Sequence, residues 1–165
     1  MSGSPVGNTV AEPLAVIPAA DYADLRGTTE SRWIRIPGLG IEESAMTLQP
    51  FESRPVTDVA AAPAIAYAFR SDAPVVSVEV RFLPTHRIHE GLGLRYAIGV
   101  DGGAEQIMDI NSEANASPDW SHNVLCGYSR RTSKHVLNGT GKHTVTIRLL
   151  DPGMVLSQVR VFADE

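Results

Sequence analysis

The densest run of chemically capable side chains is Thr85-His86-Arg87-Ile88-His89-Glu90. Imidazole and carboxylate both ligate zinc, so His86, His89 and Glu90 could hold a metal if further ligands came from elsewhere in the chain. The simpler reading is a solvated polar loop, because such residues stay outside unless paired. Tyr128 stands close to Arg130 and Arg131. An arginine fork beside an aromatic ring suits a carboxylate-bearing sugar, with the guanidinium on the acid and the ring on the sugar face. The competing reading is a surface patch paired with the chain's own carboxylates. Trp120, between Asp119 and Ser121, is another stacking candidate, as is Tyr22. Trp33 alternates with Arg32 and Arg35 around Ile34 and Ile36 and reads as core. His135 and His143 fall on strand-like runs near turns and are expected at the surface. The ligand-binding candidates are therefore Tyr128 and Arg130, with Arg87, His89 and Trp120 as second choices; no cofactor and no metal is assigned.

Catalytic motifs are missing. There is no nucleophile elbow, P-loop, dinucleotide-binding glycine pattern or HExxH. Gly38-Leu39-Gly40 and Gly91-Leu92-Gly93 follow turns rather than a strand-to-helix junction that would cradle phosphate. Glu42 and Glu43 are neighbours, and adjacent side chains on an extended backbone point apart, which makes a poor acid/base pair. The formal net charge of −5, without a basic run, argues against nucleic acid as a partner. The single cysteine, Cys126, excludes an internal disulfide and a cysteine-based zinc site. No apolar stretch approaches the roughly 18 residues of a membrane-spanning helix, and no membrane partner is expected.

The elements that must position these residues are short strands. The length of 165 residues suits one domain able to bury its own core. Residues 1–13 are rich in Gly, Ser, Pro and Thr and read as a tail or linker, leaving 14–165 as the domain. Alternating or apolar runs at 14–17, 32–36, 45–49, 64–69, 75–82, 94–100, 105–110, 132–137, 143–150 and 154–162 read as strands. The clearest is 75–82, with Val76, Val78, Val80 and Phe82 on one side and Ser77, Glu79 and Arg81 on the other. Asp101-Gly102-Gly103 supplies the positive-φ residues of a tight hairpin between 94–100 and 105–110. The one helical signal is 117–127, where Ser117 caps, Pro118 opens and Gly127 closes; a strand is the competing reading. About eight to eleven short strands separated by turn signals mean an all-β, antiparallel β-sandwich of jelly-roll type.

Ile36-Pro37-Gly38-Leu39-Gly40, Leu83-Pro84-Thr85, Glu90-Gly91 and Gly93–Ile98 with Asp101 and Gly102 are similar to the C-terminal domain of glycoside hydrolase family 115. So are Ile110-Asn111, Asn123, Arg130, Thr132-Ser133-Lys134-His135, Gly141-Lys142-His143-Thr144 and Asp151–Leu156, in order, from about Leu14 to Val161. That family comprises xylan α-1,2-glucuronidases whose catalytic residues lie in other domains. The resemblance implies a non-catalytic, galactose-binding-like β-sandwich module from a secreted or periplasmic bacterial enzyme. Its implied partners are xylan or an acidic xylo-oligosaccharide, the parent's catalytic domain, and a second copy in a homodimer. The alternative it implies is a docking or dimerisation domain that completes the parent's cleft and has no ligand of its own. Related modules carry a glutamate-bearing first strand that holds Ca²⁺; here that run is Ile17-Pro18-Ala19-Ala20-Asp21-Tyr22, with Asp21 as its one carboxylate, so weak calcium binding or none is expected.

Overall fold

Each alternating run of the sequence turns its apolar side inward, and two sheets result. The computed structural model describes residues 12–28, 31–38, 44–49, 58–83, 94–110, 129–151 and 153–164. Within them lie β1 (Ala15–Pro18), β2 (Asp24–Arg26), β3 (Arg32–Pro37), β4 (Ser44–Gln49), β5 (Ala64–Ser71) and β6 (Val75–Phe82). They are followed by β7 (Arg95–Val100), β8 (Gln106–Asp109), β9 (Ser129–Val136), β10 (Gly141–Leu149) and β11 (Val155–Ala163). A six-stranded sheet runs β3-β4-β11-β6-β9, with β1 also paired to β11; a five-stranded sheet runs β2-β5-β10-β7-β8. Every pairing is antiparallel. The expected all-β antiparallel sandwich is what the chain forms.

β11 sits inside its sheet, with β6 along one edge and β4 and β1 end to end along the other. β1 has one strand neighbour, and that leaves room for Pro18, which has no N–H to give to a second. The core lies between the sheets. Val76, Val78, Val80 and Phe82 of β6 and Val159 and Val161 of β11 meet Ile65 and Tyr67 of β5, Tyr96 and Ile98 of β7, and Val145 and Ile147 of β10, all with no measurable exposure. Burying each such side chain is worth about 1.5–3 kcal/mol. Leu156 and Val159 are three residues apart yet both face this core, because the β11–β6 register shifts between Leu156 and Gln158. A bulge of this kind re-phases the alternation.

The open sides of the sandwich are tied across. The Trp33 indole donates to the Arg26 carbonyl at 3.2 Å, joining β3 to β2, and the ring packs partly buried against the core. On the opposite side Arg131 Nε donates to the Asp109 carbonyl at 3.0 Å and Gln106 Nε2 to the Lys134 carbonyl at 2.7 Å, joining β9 to β8. At the hairpin, Asp101 and Gly102 take successive φ of 53° and 72°, and Gly103 donates to the Val100 carbonyl at 3.0 Å, as the Asp-Gly-Gly turn anticipated. The start of β7 is clamped to the β10–β11 turn. The Asp151 carboxylate accepts from Arg95 Nε at 2.9 Å, Arg95 Nη2 at 3.0 Å and the Arg95 backbone N–H at 2.7 Å.

Three expectations change. His135 and His143 are 7% and 3% exposed rather than at the surface, because register puts them opposite Val76 and Phe69 on the inward side. Each finds a partner there, Ser133 Oγ at 2.7 Å from His135 Nε2 and Asp101 Oδ2 at 2.5 Å from His143 Nδ1. β2 is an additional strand, its three residues paired to Ala64–Ala66. The single described helical turn is Val59–Ala61, capped by Asp58 Oδ1 accepting from the Ala60 N–H at 3.1 Å. The helical signal at 117–127, the polar loop at 85–90 and the tail at 1–13, apart from residues 12 and 13, lie outside the described residues.

Candidate functional site

Of the five ligand-binding candidates, Arg130 falls within the described residues; Tyr128, Arg87, His89 and Trp120 lie outside them, as do His86 and Glu90. Arg130 is the second residue of β9, and its side chain is 59% exposed. Strand register decides its company. Arg130 stands directly opposite Arg81 of β6, and Glu79, two residues back on β6, stands directly opposite Arg160 of β11. All four side chains belong to the outer face of the six-stranded sheet, since the residues between them on β6, Val78 and Val80, fill the core.

The Glu79 carboxylate is the centre of this group. Arg81 Nε donates to Glu79 Oε1 at 2.9 Å, Arg130 Nη1 lies 3.9 Å from the same oxygen, and Arg160 Nη1 lies 3.9 Å from Oε2. The glutamate side chain is 8% exposed under this cover. Arg160 also lies over the Phe162 ring, 5.1 Å from its centre, which holds that guanidinium against the sheet. A direct Arg–Arg cross-strand pair is unfavourable, and the diagonal glutamate offsets it. The arrangement presents hydrogen-bond donors in a local excess of positive charge.

A groove of about 340 Å3 opens on the outer face of the other sheet. Ala64 and Ala66 of β5 and Thr144 and Thr146 of β10 floor it, and Asp24, Arg26 and Arg148 stand at its sides. The floor is low because these strands alternate large inward residues with small outward ones. Arg148 is fixed at its edge by Glu105 Oε1 at 2.8 Å and by the Ala62 carbonyl at 3.2 Å. Hydroxyl, guanidinium and carboxylate along one trough can hydrogen-bond a polyhydroxylated chain. The sequence gives these residues no motif. Their only signal is the alternation itself, which assigns a face but not which faces adjoin.

The buried titratable groups serve the fold. Burial pushes the Tyr67 phenol well above its ordinary range, and its hydroxyl donates to the Ala19 carbonyl at 2.7 Å. Burial likewise raises Tyr96, against a smaller lowering by Arg131. The hydrogen bonds of Asp151 raise Arg95, and burial lowers His135. Among the described residues no group of three His, Cys, Asp or Glu side chains gathers into a metal site. Among the described residues the exposed large apolar side chains, Leu14, Val16, Tyr22, Ile107 and Val136, are spread over β1 and its approach, the segment before β2, β8 and β9.

The family model of the glycosyl hydrolase family 115 C-terminal domain matches residues 13–164. No curated protein sequence matches the chain. Among solved structures, a family GH115 4-O-methyl-α-glucuronidase with specificity for decorated arabinogalactans superposes with a TM-score of 0.74 at 24% identity, over 93% of this chain and 18% of that one. The chain thus spans under a fifth of that enzyme's length. A family 35 carbohydrate-binding module from Clostridium thermocellum superposes with a TM-score of 0.61 at 14% identity, over 93% of this chain and 100% of the module. A family 6 carbohydrate-binding module from the Cellvibrio mixtus lichenase 5A, in complex with cellotriose, gives 0.55 at 12% identity, over 93% and 100%. At these identities the likeness establishes the β-sandwich fold.

Proposed function

The chain belongs to the glycosyl hydrolase family 115 C-terminal domain family, and on that premise we propose that it is a non-catalytic module that binds glucuronoxylan or a related plant cell-wall polysaccharide. The parent enzyme in this reading is a xylan α-1,2-glucuronidase. The observation that carries binding over docking is the groove on the five-stranded sheet, walled by Asp24, Arg26 and Arg148. A docking face would instead gather its exposed apolar side chains into one patch. Arg130, on the outer face of the other sheet, serves the uronate as a second contact, with Tyr128, Arg87, His89 and Trp120 as further contributing residues. The carbohydrate-binding modules of similar fold support the reading by analogy.

The test is isothermal titration of the chain with glucuronoxylan oligosaccharides, unsubstituted xylo-oligosaccharides and decorated arabinogalactan fragments, with and without EDTA. Saturable heat with either xylan ligand is the expected result. Heat with arabinogalactan alone would move the specificity to that polymer. No heat with any glycan at protein concentrations that detect millimolar affinity would replace binding with docking.

A further inference from the structure

We propose that Arg130 and Arg160, set on either side of Glu79, form a carboxylate-binding site on the outer face of the six-stranded sheet, and that its ligand is the uronate of an acidic glycan. The inference rests on the carbohydrate-binding reading and assigns it an acidic contact separate from the groove, which lies on the outer face of the other sheet. Arg130 approaches one oxygen of Glu79 and Arg160 the other, both at 3.9 Å. That distance is close enough for charge attraction but too long for a hydrogen bond. The short bond to this carboxylate belongs to Arg81. Among the described residues Glu79 is the one carboxylate within ion-pair distance of Arg130 and Arg160. Their N–H donors are thus held near each other by charge, with bonds still to make.

Charge supports the same conclusion. Arg130 and Arg160 share one carboxylate, which already accepts a hydrogen bond from Arg81, in a chain whose formal net charge is −5. The nearby cation Lys134 is engaged by Asp164 at 3.0 Å and adds no surplus. A compact excess of this size suits one carboxylate; a nucleic acid would need a basic stripe that follows its backbone. Two of the three cations are preorganised. The Arg160 and Arg81 side chains are 22% and 13% exposed, one against Phe162 and the other on Glu79, while Arg130 at 59% is the arm that closes on the ligand.

The test compares the wild-type chain with Arg130→Gln, Arg160→Gln and the double variant, whose melting temperatures show that they fold. Each is titrated with a glucuronate-substituted xylo-oligosaccharide and with its unsubstituted counterpart. The inference expects each single variant to lose several-fold, and the double variant tenfold or more, in affinity for the acidic ligand, with the neutral ligand unaffected. Equal losses on both ligands, or none, overturn it and leave carbohydrate binding in place. If the wild type binds neither oligosaccharide, arginine Nε–Hε resonances decide. Shifts at Arg130 and Arg160 with sodium glucuronate, and not with glucose, keep the subsite while the polysaccharide reading falls. No shift removes both, and stronger shifts with hexaglutamate than with glucuronate give the site to a protein partner.

Discussion

Replacing Asp151 by alanine tests whether the clamp between β7 and the β10–β11 turn holds the sandwich together. The Asp151 side chain is fully buried, and its two oxygens accept three hydrogen bonds from Arg95, one of them from the backbone N–H. Truncation leaves that part-buried N–H without its partner, at a cost of about 1–3 kcal/mol. The Arg95 side chain is 36% exposed, so water recovers much of what its guanidinium loses, and that share stays near 1 kcal/mol. The sum is about 3 kcal/mol, at the low end of the 3–5 kcal/mol typical when one partner of a fully buried pair is removed. For a domain of this size each kcal/mol lowers the melting temperature by about 2–4 °C, giving a fall of about 6–12 °C. Asp151→Asn keeps an oxygen for the backbone N–H while losing the charge, and should cost about 1 kcal/mol. Urea unfolding followed by far-ultraviolet circular dichroism and tryptophan fluorescence measures both. An alanine variant within about 1 kcal/mol of wild type, or an asparagine variant as damaged as the alanine one, refutes the reasoning.

Three further outcomes are expected. Tyr67→Phe leaves the buried Ala19 carbonyl without its 2.7 Å partner and should lower unfolding free energy by about 1–2 kcal/mol without changing the urea m-value. Gly141→Ala meets no atom within 4 Å, but φ there is +107°, so any loss in the same measurement is backbone strain alone, about 1–3 kcal/mol. Burial lowers His135 in the folded state, so the unfolded chain binds the proton first. Its contribution is complete above the ordinary histidine value of about 6.5 and declines as pH falls from there toward the folded-state value. The stability difference between wild type and His135→Gln should therefore shrink on acidification through that window, and a constant difference would contradict the assignment.

Where side-chain polarity and burial agree, the sequence was readable. Val76 to Phe82 alternate so strictly that β6 was bounded at both ends, and the positive-φ demand of the 101–103 turn named its residues. β9 shows where the rule stops. It buries Ser133 and His135 and leaves Val136 78% exposed, because pairing with β6 fixes which side faces in, whatever the chemistry there. β2 offers one apolar residue in three, too little for periodicity to register. The bulge beside Ser157 breaks the two-residue period of β11, and nothing in Leu156–Val159 announces it. The candidate site divides in the same way. Arg130 was visible as a cation beside an aromatic, but Glu79, Arg81 and Arg160 become its neighbours only through strand order, which joins residues that local pattern cannot relate.

β11 lies in the interior of its sheet although it follows the ten other described strands in the chain. During translation β1, β4 and β6 leave the ribosome before the strand that joins them, and their edges toward β11 wait unfilled. Closing β1 onto β11 spans nearly the whole domain, the kind of distant contact that slows folding. A nascent chain halted before Val155 has made Val76, Val78, Val80 and Phe82 but not the β11 residues Leu156, Val159 and Val161 that share their core. Such a chain offers apolar strand edges to any neighbour, and its safety depends on how quickly the ribosome finishes β11.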